Sequence, residues 1–232
     1  MSASTQGGRT VCGHSFDQVY GGRSGLVFGT KPTKVLDSYL SDSSTTGSAL
    51  DLGCGEGRDT IPLLKRGFSV TALDIAQAAI AKLLSRRDLT PEMKSALTTV
   101  VADVRYYDWP TEKYDWVLAV TLLDHLEIEH IPSISRNMIR ATREGGLVFV
   151  EVHTDRDPGV TGEGPMSEFS SHIKHYFATN ELLGLFAPDL RILAYEDRLE
   201  WDYDHGEPHK HGFASLLGQR QENKRPISAD TK

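Results

Sequence analysis

Ala49-Leu50-Asp51-Leu52-Gly53-Cys54-Gly55-Glu56-Gly57-Arg58 is the stretch that decides how this chain folds. A short apolar run, shaped like a buried strand, passes straight into glycines at alternate positions, then into a helical face of Ile61, Leu63 and Leu64 closed by Gly67. Glycine in such a turn lets backbone approach a ligand closely and adopt positive φ. A dinucleotide fingerprint needs G-x-G-x-x-G to seat a pyrophosphate on a helix N-terminus, and Arg58 stands where its last glycine belongs. The spacing therefore disfavours NAD or FAD. Asp51, just ahead of the glycines, places a carboxylate where it can accept from an ammonium or organise the turn. That suits an amino-acid-bearing ligand better than a diphosphate.

Working outward, the pattern alternates. Val35, Leu36 and Leu40 have helical spacing, a polar linker covers 41–47, and a strand ends at Leu52. The spacing next predicts a strand over 68–73, a helix over 77–86, strands over 97–102 and 116–120, a helix over 131–142 and a strand over 147–152. Strands alternating with helices imply a parallel sheet covered on both faces. Asp74 and Asp103 end the second and third strands as Asp51 nearly ends the first, so three carboxylates converge on the edge where open α/β sheets bind ligands. The last third differs. A Gly/Pro-rich loop over 155–165 leads to a helix or two through Phe186, then to strands near 190–195 and 212–217. The break near Asp155 reads as an insertion or lid, about 155–180, within one domain.

At 232 residues and 25.6 kDa, the chain fits a single domain over 15–222, between tails expected over 1–14 and 223–232. A net charge of −7 argues against a phosphate-backbone partner, so no nucleic acid is expected. No apolar run approaches the roughly 18 residues that span a bilayer, and the first ten lack the apolar core of a secretory leader; a cytoplasmic protein without a membrane partner is expected. Two cysteines, Cys12 and Cys54, give no disulfide framework. Cys54 reads as a small buried side chain in the loop, not as a nucleophile.

These residues resemble a class I S-adenosylmethionine (SAM)-dependent methyltransferase, whose first motif is D-x-G-x-G-x-G. The resemblance covers about 35–152 and implies an α/β fold: a Rossmann-like, seven-stranded, mostly parallel sheet with helices on both faces and the last strand antiparallel. It implies SAM as cofactor, with Gly53, Gly55 and Gly57 wrapping the methionine part and Asp51 supporting its amino end. Asp74 would hold the ribose hydroxyls, Ile75 would pack on adenine, and Asp103 would accept from the adenine amine beside Val104. Val120, Thr121 and Leu122 would line the sulfonium end. Alone, each glycine reads as a tight turn and each aspartate as a helix cap. Their coincidence favours the ligand.

The acceptor is read from the residues beyond the fourth predicted strand. Thr121-Leu122-Leu123-Asp124-His125-Leu126 lacks the proline-rich, aromatic-ended motif with which nucleic-acid amine methyltransferases hold a flipped base, so a small-molecule acceptor is expected. The order of segments beyond Gly145, and the ending Glu207-Pro208-His209-Lys210-His211-Gly212-Phe213-Ala214, resemble the tellurite-resistance methyltransferase branch and its thiol or chalcogen relatives. Phe169, Lys174, His175, Tyr176 and Phe177 stand where that branch has an aromatic stretch and an arginine-bearing helix. Methyl transfer is an in-line displacement needing proximity and a water-excluded site. An oxyanion or thiolate acceptor needs a positioning cation such as Arg156 or Lys174, whereas a neutral amine or hydroxyl needs a base. The catalytic candidates are Asp124, His125 and His153, at predicted strand ends, and Tyr176. The candidate acceptor wall comprises Tyr20 and Phe28, from an N-terminal segment expected to fold over SAM, with Arg156, His172, His175 and Tyr176.

Histidine is frequent after the cofactor half. His172 and His175 are expected on one helical face, and His209 and His211 share one face of a strand, with His205 before them. That geometry admits a metal, but the preferred reading is hydrogen-bonding residues of the sheet edge, with no metal expected. A monomer or homodimer is expected. Two other readings stay open: an enzyme that closes SAM's aminobutyrate arm on itself and releases methylthioadenosine beneath Phe169, Tyr176 and Phe177, or a non-catalytic SAM-binding partner of another subunit.

Overall fold

A computed structural model describes residues 13–41, 46–165, 167, 169–203 and 207–221. The expected tail over 223–232 and His205 lie outside the described residues. So does the tail over 1–14, except that its last two residues begin a helix, α1 (Gly13–Gly21).

Next along the chain come α2 (Lys34–Ser41), β1 (Ser48–Leu52), α3 (Thr60–Lys65), β2 (Ser69–Asp74), α4 (Gln77–Ser85), α5 (Pro91–Ser95), β3 (Leu97–Val101) and β4 (Tyr114–Val120). Beyond them lie α6 (Ile131–Ala141), β5 (Thr142–His153), α7 (Pro158–Thr161), α8 (Glu181–Phe186), β6 (Leu190–Asp202) and β7 (His209–Arg220). The strands form one seven-stranded sheet in the order β3-β2-β1-β4-β5-β7-β6. The first five are mutually parallel, and β7 runs antiparallel to both its neighbours.

Period-two alternation splits the central strands between two cores. Leu50, Leu52, Val117, Ala119, Val148 and Val150 face α6 and α8 through Ile134, Met138, Leu182 and Phe186. Ala49, Leu118, Val120 and Phe149 face the other way, onto Leu36, Leu63, Leu64, Ile80 and Leu83 of α2, α3 and α4. Both faces are therefore apolar, and the sequence shows near-continuous hydrophobic runs. Among the described residues no helix is long and apolar enough to cross a membrane.

The topology brings one end of every strand to a common edge. The C-terminal ends of β1 to β5 meet there. Because β7 is reversed, it contributes its beginning, with Asp202↔His209 and His153↔Phe213 in register.

The last third corrects two expectations. β6 and β7 are a long hairpin of 13 and 12 residues, well beyond the expected 190–195 and 212–217. The helical face for His172 and His175 does not form: Ser170–His172 is a single 3-10 turn. The N–H groups of Lys174 and His175 instead both donate to the Asp124 carbonyl, at 2.8 and 3.1 Å. That pairing holds the segment extended against β4's exit turn until it rejoins β5, with Thr154 bridged to Phe177.

Gly57 sits at φ 82°, and a β-carbon there would lie 2.3 Å from Leu83 Cδ1. Gly57→Ala is expected to destabilise the fold by about 2–4 kcal/mol, combining the left-handed penalty with overpacking against α4; thermal unfolding reads it.

Candidate active site

The edge of the sheet opens into one cleft of about 1170 Å³. Its first end is built by the glycine loop. Gly53 and Gly55 lie at φ 67° and 53°, so β1 reverses into the cleft wall instead of running on into α3. The Cys54 N–H donates to the Leu73 carbonyl at 3.0 Å, tying the loop to β2. The Gly55 N–H donates to Asp74 Oδ2 at 2.8 Å, and Ala76 N–H to Oδ1 at 2.8 Å. Burial raises the Asp74 carboxyl above its ordinary range, opposed by the Ala76 and Gly55 hydrogen bonds.

Asp51 is fully enclosed and accepts from Thr60 Oγ1 at 2.5 Å. Burial, with Asp59 nearby, pushes it up to about 7. A buried carboxyl poised to ionise beside an open cleft favours a cationic ligand group.

Asp103 also lines the cleft but is engaged by Arg105, whose backbone N–H and guanidinium both donate to it. Burial pulls its carboxyl upward, and the Arg105 bonds outweigh that and hold it low. Ile75, Val104, Val120 and Thr121 complete this wall, whereas Gly57 turns beneath it and packs on α4.

The N-terminal segment covers this end. Tyr20 is buried with its hydroxyl over Gly55, 2.8 Å from where a β-carbon would stand, and its ring meets Phe28 edge-on at 6.0 Å. Both line the cleft. Three ties hold the segment down, and sequence reasoning missed them. Glu56 accepts from Val27 N–H at 2.7 Å and Phe28 N–H at 3.3 Å while pairing with Lys82. Asp17 accepts from Ala78 N–H at 2.9 Å, capping the first turn of α4. Asp59 accepts from the Thr33 N–H and hydroxyl. The one available signal was a buried-loop glutamate between two glycines.

The second end lies beyond β4. Thr121 is held at φ 47°, strained for a β-branched residue, with its N–H bonded to the Glu151 carbonyl at 2.8 Å. Asp124 is fully buried behind the wall and accepts from the His153 backbone N–H at 3.1 Å and from Nδ1 at 2.5 Å. Burial alone would raise Asp124; His125 and the His153 hydrogen bond overcome it and hold the carboxyl low. The carboxylate only accepts, so a ring proton sits on Nδ1 and Nε2 is the nitrogen left for other partners. His153 itself lines the cleft.

His125 and His172 line the cleft too, flanking Phe16 at ring distances of 5.1 and 5.0 Å, with His125 Nδ1 3.0 Å from the His172 carbonyl oxygen. Burial, then His125 and Lys174, lowers the His172 imidazole. Farther along, Arg198 of β6 reaches over β7 to Glu151 of β5 at 2.8 Å and along its own strand to Glu200 at 2.8 Å.

Three candidates stand outside this wall. Arg156 is exposed and paired with Asp197 at 2.8 Å, His175 is bound to Glu181 at 2.6 Å, and Tyr176 is not among the residues lining the cleft.

Residues 49–146 match the family described as methyltransferase domain. That match spans less than half of the chain, and together with the fold and the glycine-acid loop it makes the chain similar to class I, SAM-dependent methyltransferases. Within the class the chain is similar to the TehB branch. A probable S-adenosyl-L-methionine-dependent methyltransferase TehB of Haemophilus influenzae is 29% identical over 177 residues, 74% of this chain and 57% of that protein. The crystal structure of TehB from Haemophilus influenzae superposes with a TM-score of 0.63 at 26% identity, covering 81% of this chain and 61% of that one. A magnesium-protoporphyrin O-methyltransferase of Rhodobacter capsulatus is 32% identical over 102 residues, 44% of this chain and 42% of that protein. The chain thus spans less than two thirds of the length of each of these.

Proposed function

We propose that this chain transfers the methyl group of SAM to a small molecule whose accepting atom gives up a proton, a thiol first among them. One observation carries the reading: a single cleft runs from the glycine loop to a His153 side chain backed by buried Asp124. At about 1170 Å³ it exceeds the roughly 300–1,000 Å³ usual for one ligand, which suits a cofactor and a second small molecule together. In this reading Asp51 meets the SAM ammonium, Gly53 and Gly55 its methionine part, Asp74 the ribose, Ile75, Asp103 and Val104 the adenine. Val120 and Thr121 bring the sulfonium to the acceptor. The acceptor lone pair displaces the methyl carbon from sulfur in line, the sulfonium becomes the neutral thioether of adenosylhomocysteine, and the acceptor proton passes to His153 Nε2. Asp124 is the positioning residue that fixes the ring. His125 and His172, with Tyr20 and Phe28, form the acceptor's wall and exclude water.

The chain is tested with SAM alone and then with a panel of thiols, selenite, amines and acids, the nucleoside product being identified by mass spectrometry. Adenosylhomocysteine released only with an acceptor is the expected result. Methylthioadenosine released without one would favour the cyclising alternative and overturn methyl transfer.

Asp51 adds a pH signature. Its carboxyl ionises at about 7 in the free site, and a bound ammonium favours the charged form. SAM binding is therefore coupled to proton release and tightens as pH rises, by about 5–10-fold between pH 6 and 7.5. Above that, SAM's own α-amino group, with an ordinary pKa of about 7.7–8.0, loses its proton and affinity turns down. Calorimetric titration across pH reads this, and Asp51→Asn is expected to flatten the rising limb.

A further inference from the structure

We propose that His209, His211 and Asp202 bind one divalent first-row transition metal of the zinc class at the cleft end of the β6–β7 hairpin. Their ligand atoms all lie within 4.8 Å of one another. His209 Nε2 and His211 Nε2 stand 3.0 Å apart, and Asp202 Oδ2 is 3.9 Å from His211 Nε2. Both rings are buried, so bulk water does not screen this arrangement.

The outer hydrogen bonds fix where the ring protons sit. His209 Nδ1 lies 2.7 Å from the Glu207 carbonyl oxygen, which only accepts, so Nδ1 carries the proton. His211 Nδ1 lies 2.8 Å from Asp157 Oδ2. Asp157 also accepts from Gly159 N–H at 2.9 Å and Gly212 N–H at 3.2 Å, the pattern of an ionised carboxylate, so His211 Nδ1 donates too. With both Nδ1 atoms engaged outward, the two Nε2 atoms face each other and Asp202. A metal at the usual 2.0–2.1 Å from each nitrogen fits between them with a modest adjustment of the two rings.

Asp157 supplies the carboxylate behind a histidine that metal sites characteristically use to orient the ring. Among the described residues, two histidines and one carboxylate supply three ligands of a tetrahedral set. His211 and Asp202 line the cleft, so the metal would border it. In the sheet, β4 and β5 separate this hairpin from β1, whose exit loop is the proposed SAM end of the same cleft.

Co²⁺ titrated into the full chain is expected to give the visible absorption of a four-coordinate site, saturating at one ion per chain and displaced by Zn²⁺. His209→Gln and His211→Gln are expected to weaken binding by about 100-fold or more, and Asp157→Asn by about 10–100-fold through its effect on the ring. SAM affinity, measured on the same samples, reports that the variants are folded and separates this result from the methyl-transfer reading. No Co²⁺ absorption in the wild-type chain, or absorption that survives the double histidine substitution, overturns the site.

Discussion

His153→Gln is expected to lower kcat by about 10²–10⁴-fold while leaving SAM affinity unchanged, the loss typical of a removed general base. The split stems from where the residue sits. His153 ends β5, whereas the ligand-facing loop belongs to β1 and β2, so the donor end loses nothing. Glutamine preserves bulk and can still donate to Asp124, but it offers no basic nitrogen. Asp124→Asn is expected to act in the same direction through the ring: an amide facing Nδ1 no longer selects the tautomer with a free Nε2. Single-turnover methyl transfer with the acceptor found by the panel separates chemistry from binding. An unchanged rate in His153→Gln would remove the base from the mechanism and favour an acceptor already ionised in solution.

Asp74→Ala is expected to weaken SAM by about 10²–10⁴-fold. Two hydrogen bonds from ligand hydroxyls to a carboxylate, at about 1.5–3 kcal/mol each, correspond to that range. The substitution also strips the acceptor from the Gly55 and Ala76 N–H groups, so part of the loss comes through the loop. Asp74→Asn separates the parts, because its carbonyl oxygen keeps one backbone partner. Calorimetry with circular dichroism as a folding check reads both variants, and undiminished affinity in Asp74→Ala would sink the cofactor assignment.

The fold and the glycine-loop end of the cleft were legible because their signals are local. A buried strand, its glycine exit and the next helix lie within 20 residues, and strand ends are marked by where apolar runs stop, as at Leu52, Leu73 and Val101. Other features were not legible, for physical reasons. β6 interleaves Glu196, Arg198 and Glu200 with Asp197 and the exposed Leu199 and Trp201, so its outer half carries no buried apolar run to announce it. The helical spacing of His172 and His175 lost to a long-range contact, the Asp124 carbonyl capturing the N–H groups a helix would have used. The ties of Glu56, Asp17 and Asp59 join segments 26 to 61 residues apart, which no local pattern encodes. Arg156 matched the need for a cation, yet Asp197 across the hairpin takes it out to the surface.

The reversed strand β7 has a consequence for how such a molecule can change. Its beginning, not its end, reaches the cleft, so this hairpin brings Asp202, His211 and Phe213 to one flank of the cleft while strands β1 to β3 bring their ends to the other. The two vocabularies are written on opposite flanks of the sheet and share only β4 and β5. If the chain methylates as proposed, lineages can rewrite the cleft-facing residues of this hairpin, and with them the acceptor, while the β1–β3 side keeps its grip on the methyl donor.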